Sequence, residues 1–168
     1  LVHVDGNETA TADAIRTEFP DIQVIVSTTN VGPGGGRNNL LAECRSPYVA
    51  SFDDDSYPTD GDYFARIGKL FESQPNAAML AARVVHRNER LQSAVHEEEH
   101  EIDSFLGAGC VYRREAFLST TGYVPLRIAY GMEEVDLSLR LIDRGHAVVY
   151  TPQLRVFHDT ELAHHSDS

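Results

Sequence analysis

The chain has 168 residues, 42% of them hydrophobic, and its 14 Lys and Arg against 26 Asp and Glu give a formal net charge of -12. That length supports one sizeable core and not two, and the acidic balance argues against nucleic acid or an anionic membrane as partner, since their phosphates would meet repulsion. No apolar run approaches the roughly 18 residues of a membrane span, and no signal-peptide pattern is present.

Leu1, Val2, His3 and Val4 read at once as a strand ending in Asp5 and Gly6, without an initiator Met, as an interior fragment would. The expectation is that a first strand or a membrane anchor of a parent protein precedes Leu1. Residues 9–19 place Ala12, Ile15 and Phe19 on one helical face, and Pro20 stops that helix. A β-branched run follows at 22–26, then a glycine-rich loop at 30–36, then a helix at 38–44 with Leu40, Leu41 and Cys44 inward. Tyr48 to Phe52 forms the third strand, 60–71 a helix with Phe64, Ile67, Leu70 and Phe71 inward, and 77–85 a fourth strand. Alternation of this kind predicts an α/β fold with a doubly wound, mostly parallel central sheet and flanking helices, whose ligands sit beyond the carboxyl ends of the strands.

The second half is less regular. Residues 86–100, with Glu97, Glu98 and Glu99 in a row, read as an exposed loop or edge hairpin with a solvated charge run. In the apolar stretch 105–112, Gly107 and Gly109 imply close approach of backbone to a ligand or another strand. Residues 133–144 form a helix with Val135, Leu139 and Ile142 on one face, ended by Gly145, and short strands follow at 147–150 and 154–157. Cys44 and Cys110 lack the spacing of a zinc site or redox motif, so reduced thiols in a cytosolic setting are expected.

Asp53, Asp54 and Asp55 end the third strand. Two unit charges about 4 Å apart repel by roughly 4 kcal/mol at a surface-like dielectric, so carboxylates converging there call for a cation, a proton or open water. Hard oxygen ligands suit Mg²⁺ or Mn²⁺. Ordinary turn chemistry with Ser56 and Pro58 is the simpler account of the same residues.

Asp5 after a strand, Asn30 with Gly32, Arg37 with Asn38, the acidic triplet, Gly107 with Gly109, and Glu133, Glu134, Asp136, Leu137 and Arg140 occur in an order that resembles the family 2 glycosyltransferases, over roughly residues 2–158. The resemblance implies a glycosyltransferase A type fold, one catalytic domain over 1–158 with a mobile tail at 159–168, a nucleotide-sugar donor, a divalent cation and an inverting displacement at the anomeric carbon. It implies that Asp5, Asn30, Gly32 and Arg37 contact the nucleotide and that Asp53 meets the nucleoside or its ribose beside Asp54. It implies further that Asp55 holds the metal, with Asp53 and His158 completing the ligand set. The acceptor hydroxyl must lose a proton as it attacks, and Glu134 is the expected base. The family usually carries Asp at that position, which leaves Glu133 and Asp136 as alternatives. Helix-dipole stabilisation and an Asp136 to Arg140 pair are structural accounts of the same acids.

The acceptor would be a saccharide, a lipid-linked molecule or another hydroxyl compound, recognised by loops at 85–104 and 121–130, where Tyr123, Arg127 and Tyr130 could meet a sugar. Localisation is expected to be cytoplasmic, with any attachment to the inner membrane surface made by parts of the parent protein outside this chain. A sugar nucleotidyltransferase, or a non-catalytic module that binds a sugar nucleotide or a partner, is the alternative reading. The glycine-rich loop with Arg and Lys that a nucleotidyltransferase shows near its first strand is missing here.

Overall fold

The computed structural model describes residues 1–86, 98–124 and 131–160. In chain order it contains β1 (Val2–Val4), α1 (Thr9–Glu18), β2 (Val24–Val26), α2 (Gly32–Glu43), β3 (Tyr48–Phe52), β4 (Ser56–Pro58), α3 (Tyr63–Ser73), β5 (Ala77–His86), β6 (His100–Glu101), β7 (Gly109–Arg113), α4 (Arg114–Leu118), α5 (Met132–Asp143) and β8 (Ala147–His158).

β1 and β2 form a parallel pair, and the other six strands form a second sheet in the order β3-β7-β5-β8-β4, with β6 also on β8. The α/β class with flanking helices holds, while the sheet is mixed. β5 and β8 are parallel, but β7 runs antiparallel between β3 and β5, and β4 and β6 lie antiparallel on β8. The βα alternation of the first half carries no information about these later strands, which is why it suggested a mostly parallel sheet.

β5 alternates its side chains between two cores. Met79 and Ala81 face α2, α4 and α5, meeting Leu41, Phe117, Leu137 and Leu141. Leu80 and Ala82 face α3, meeting Tyr63, Ile67, Leu70 and Phe71. Each large apolar side chain so buried contributes about 1.5 to 3 kcal/mol.

Several expectations need correction. The glycine-rich stretch is helical from Gly32 onward, because Pro33 fits the first turn and small residues are required there. A Cβ on Gly36 would lie 2.8 Å from the His3 ring, and one on Gly34 3.0 Å from Tyr123 Cβ. In α3 the inward position belongs to Tyr63, while Phe64 is exposed. Phe19 lies past the end of α1 and is also exposed. The strands expected at 147–150 and 154–157 are one strand, β8, with a register shift where Ala82 pairs with Thr151 and Arg83 with Arg155. Residues 87–97 and 161–168 lie outside the described residues, and with them Glu97 and most of the proposed tail. Glu99, read as part of a solvated run, accepts hydrogen bonds from Thr151 Oγ1 (2.6 Å) and Gln153 Nε2 (2.9 Å).

The largest correction concerns α5. Leu139 and Ile142 are exposed, and the buried face is Glu133, Glu134, Leu137, Ser138 and Leu141. The helix therefore presents two glutamates to the interior.

Candidate functional site

Beyond the carboxyl ends of β1 and β3 lies a cavity of about 540 Å³, lined by Asp5, Asn30, Gly32, Arg37, Asp53, Asp54, Asp55, Glu133, Glu134 and His158 among others. Of the residues expected to act on the acceptor proton, contact the nucleotide or hold the metal, Asp136 alone is absent from that lining.

The acidic triplet is both a turn and a cluster. Asp53 N donates to Ser56 Oγ (2.7 Å) and Ser56 N donates to Asp53 O (3.1 Å), which reverses the chain from β3 into β4. The ladder between β4 and β8 then sets Ser56 opposite His158, bringing His158 Nε2 to 3.1 Å from Asp55 Oδ1. One ligand atom each from Asp53, Asp55 and His158 lies within 4.8 Å of the other two. Two hard carboxylate oxygens and one imidazole nitrogen form a donor set suited to Mn²⁺ or Mg²⁺. Asp54, between them in sequence, is exposed and also lines the cavity. The His86 ring centroid stands 5.1 Å from that of His158.

Arg37 is 7% exposed and reaches two acids, Asp53 Oδ1 at 2.5 Å and Glu134 Oε1 at 3.6 Å. Burial works against its charge, but Tyr112, Tyr123, Asp53 and Cys110 together hold it protonated beyond the usual guanidinium range. Its side chain is thus turned inward, joining the acidic cluster to the glutamates of α5. Beneath it, Tyr112 and Tyr123 share a 2.6 Å hydrogen bond between hydroxyls, and Cys110 Sγ donates to the Tyr112 hydroxyl at 3.1 Å. Burial pushes the Cys110 thiol up to about 12, so it stays protonated at neutral pH.

Burial raises the Glu134 carboxyl to about 7, with the Glu133 charge adding to the rise while its own backbone N–H and Arg37 oppose it. Oε2 of Glu133 and of Glu134 are buried without a hydrogen-bond partner. Asp136, by contrast, is ion-paired to Arg140 one turn on. Gly107 makes room for this arrangement: a Cβ there would sit 2.7 Å from Glu134 Oε1 and closer still to Arg37. The close approach expected at Gly107 is therefore to the Arg37 to Glu134 pair, and that at Gly109 is to Val156, which a Cβ there would meet at 2.9 Å.

Asp5 is engaged within the chain. Its carboxylate accepts from Ser27 Oγ (2.5 Å), Val31 N (2.9 Å) and Gly32 N (3.0 Å). Burial alone would raise its pKa, and these bonds together with Gly6 N bring it below the usual carboxylate value. Asn30 Oδ1 accepts from Gly32 N at 3.1 Å, and Gly32 turns with φ +72°. Tyr123, considered for acceptor contact, is 1% exposed and belongs to the core; Arg127 and Tyr130 lie outside the described residues. Sequence reasoning missed Ser27 and His3. His3 alternates with Val2 and Val4 in a short strand, a signal that it faces α2, and Asn39 meets its ring at 3.2 Å. Among the described residues no helix is long and apolar enough to cross a membrane.

Comparison with known proteins accords with this geometry. The family model for glycosyl transferase family 2 matches residues 1–127. A pre-mycofactocin glycosyltransferase of Mycobacterium tuberculosis is 28% identical over 155 residues, covering 83% of this chain and 32% of that protein. The chain thus spans about a third of the length of the curated relatives it matches. Among solved structures, Staphylococcus aureus TarS 1-349 in complex with UDP-GlcNAc superposes with TM-score 0.73 at 17% identity, over 95% of this chain and 49% of that one. The mannosyltransferase PcManGT from Pyrobaculum calidifontis, in complex with GDP-Man and Mn²⁺, gives 0.71 at 14% identity, over 96% and 48%. The fold is of the glycosyltransferase A type. With its match over residues 1–127, the chain belongs to glycosyl transferase family 2.

Proposed function

We propose that this chain carries the donor site and the base of a metal-dependent inverting glycosyltransferase, which moves a sugar from a nucleoside diphosphate to an acceptor hydroxyl. The observation that carries the reading is one cavity lined both by the Asp53, Asp55 and His158 cluster and by Glu134, with Arg37 buried between them. Asp53, Asp55 and His158 would hold Mn²⁺ or Mg²⁺, which supplies positive charge against the negative charge growing on the departing diphosphate.

The acceptor oxygen attacks the anomeric carbon from the face opposite the diphosphate. The new C–O bond forms as the bond to the diphosphate oxygen breaks, and that electron pair leaves on the diphosphate. The acceptor proton passes to Glu134, whose raised pKa of about 7 suits proton removal near neutral pH. Glu134 is favoured over Asp136 because Asp136 is committed to Arg140, and over Glu133 because Arg37 orients Glu134. Asp5 fixes the Val31 and Gly32 turn that forms one wall of the donor site, and Asn30 tightens that turn from within. Known neighbours in complex with UDP-GlcNAc or GDP-Man support a nucleotide-sugar donor.

Calorimetric titration with UDP and GDP, each with and without Mn²⁺, tests the reading, repeated on Asp55→Ala. Binding of one diphosphate that requires Mn²⁺ and weakens at least tenfold in Asp55→Ala is the expected result. Binding indifferent to both metal and substitution would overturn the metal assignment, and pyrophosphate release from a nucleoside triphosphate would point to a nucleotidyltransferase instead.

A further inference from the structure

The acidic cluster depends on a strand with little of its own to hold it in place. β4 is three residues long, and among the described residues it pairs only with β8. Its last residue, Pro58, stands opposite Val156 but has no N–H to give to the ladder. A slip of one residue would turn the side chains of so short a strand to the other face. It would also part Asp55, which immediately precedes β4, from His158, which stands opposite Ser56. β8 reaches this ladder through an irregularity: its register against β5 jumps from Ala82 opposite Thr151 to Arg83 opposite Arg155, leaving 152–154 without counterparts.

Side chains at the far end of the ladder supply the hold that the backbone lacks. Asp60 lies two residues past β4, away from the lining of the site cavity, and its carboxylate is only 10% exposed. It takes two prongs of Arg155, with Nε donating to Oδ2 at 3.1 Å and Nη2 donating to Oδ1. The backbone repeats the pairing, since Thr59 N donates to Arg155 O at 3.1 Å. Arg66 of α3 meets the same carboxylate, its Nη1 3.5 Å from Oδ2, and donates from that nitrogen to Gln153 O at 2.7 Å, so it also holds the irregular stretch of β8. The Arg155 hydrogen bond, with the charges of Arg155 and Arg66 behind it, keeps the Asp60 carboxyl below its usual range against the opposing effect of burial. An exposed ion pair fixes little, but a nearly buried carboxylate gripped bidentately by one arginine and met by a second fixes geometry as well as adding energy.

Resting on the reading that Asp53, Asp55 and His158 take Mn²⁺ or Mg²⁺, we propose that Asp60 is a positioning residue for that cluster: by holding Arg155 and Arg66 it fixes the register of β4 on β8, and with it the approach of Asp55 to His158. Asp60 acts from a distance, because five residues of mostly extended chain, at about 3.3 Å each, put it roughly 15 Å from Asp55.

Two measurements on the full-length protein test this together: Mn²⁺ titration without nucleotide, followed by paramagnetic resonance of the free ion, and amide hydrogen exchange without metal. The variants are Asp60→Ala, Asp60→Asn, Arg155→Ala and the Asp60→Ala/Arg155→Ala pair, with Asp62→Ala as a control that removes an exposed partner of Arg66 and leaves Asp60 and Arg155 in place. In Asp60→Ala, Mn²⁺ should bind at least tenfold more weakly. The Asp159 amide, which donates to Asp55 O at 2.8 Å beside the cluster, should exchange at least tenfold faster. Asp60→Asn should move both readouts less and in the same direction, the double variant no further than Asp60→Ala alone, and Asp62→Ala neither. Amides of residues 79–82 in β5 should keep their protection throughout; if Asp60→Ala loses it, Asp60→Asn decides. Parent-like Mn²⁺ affinity and Asp159 exchange in the Asp60 variants, losses that add in the double variant, or equal losses in Asp62→Ala would overturn the proposal. A parent that binds no Mn²⁺, or an Asp55→Ala variant that binds it as well as the parent, would overturn the cation reading and the role of Asp60 with it. The Asp159 amide, read without metal, distinguishes that outcome from a register that never depended on Asp60.

Discussion

Arg37 is a fully charged group held at 7% exposure between two acids, and that placement decides what its loss would do. Removing one partner of a buried ion pair strands the other charge at a cost of about 3 to 5 kcal/mol. Arg37→Met is therefore expected to lower the melting temperature by roughly 10 °C, given about 2 to 4 °C per kcal/mol for a domain of this size; thermal unfolding followed by circular dichroism checks it. Glu134→Gln keeps the shape and removes the proposed base, so turnover should fall about 100-fold or more while donor affinity changes little. The sign of its pH dependence follows from the raised pKa of about 7. Activity of the parent should rise with pH through about 7 as Glu134 loses its proton. Stability should move the other way: between the ordinary value of 4.5 and about 7 the folded state holds a proton that the unfolded chain has released, so this group's contribution falls as pH rises. Melting temperatures of the parent and of Glu134→Gln between pH 4.5 and 8 should diverge in that sense, with the slope flatter in the variant.

At the scale of elements, α5 and the Gly107 turn form one device. The helix buries Glu133, Glu134 and Leu137 rather than its leucine and isoleucine at 139 and 142, and the turn has no side chain where the Arg37 to Glu134 pair must fit. Gly107→Ala should push that pair apart, costing about 1 to 3 kcal/mol by overpacking and lowering turnover more than donor affinity; steady-state kinetics beside thermal melting separates the two effects. The sequence made the strands ending in Asp5 and the acidic triplet legible, because β-branched runs closed by polar residues have few other readings. It also made legible that Gly107 and Gly109 mark close approaches. It misled on α5, since apolar spacing at 135, 139 and 142 outweighs two glutamates when the buried partner of a glutamate is an arginine almost a hundred residues away in sequence. The helical start at Gly32 was hidden for a similar reason: glycine is a poor helix former, and only the positive φ of Gly32 and the close approach of Tyr123 to Gly34 and of His3 to Gly36 make it the right residue there.

For the molecule as a whole, the net charge of -12 includes a dense share where an anionic donor would have to enter. Six carboxylates line the site cavity with one guanidinium, which is itself already paired. Such a field repels a bare diphosphate and attracts a cation. Without divalent metal, UDP binding should therefore tighten as salt rises from about 10 mM to about 150 mM, where the screening length falls from about 30 Å to about 8 Å. With Mn²⁺ present that salt dependence should weaken or reverse, as calorimetry at the two ionic strengths would show.

The short ladder between β4 and β8 links Asp55, in the first half of the sequence, to His158, near its end. The residues proposed to hold a cation span more than half of the chain, and they come together only once β8 has docked. Affinity for the cation would then appear only with that docking, so metal uptake would report that β8 has found its place.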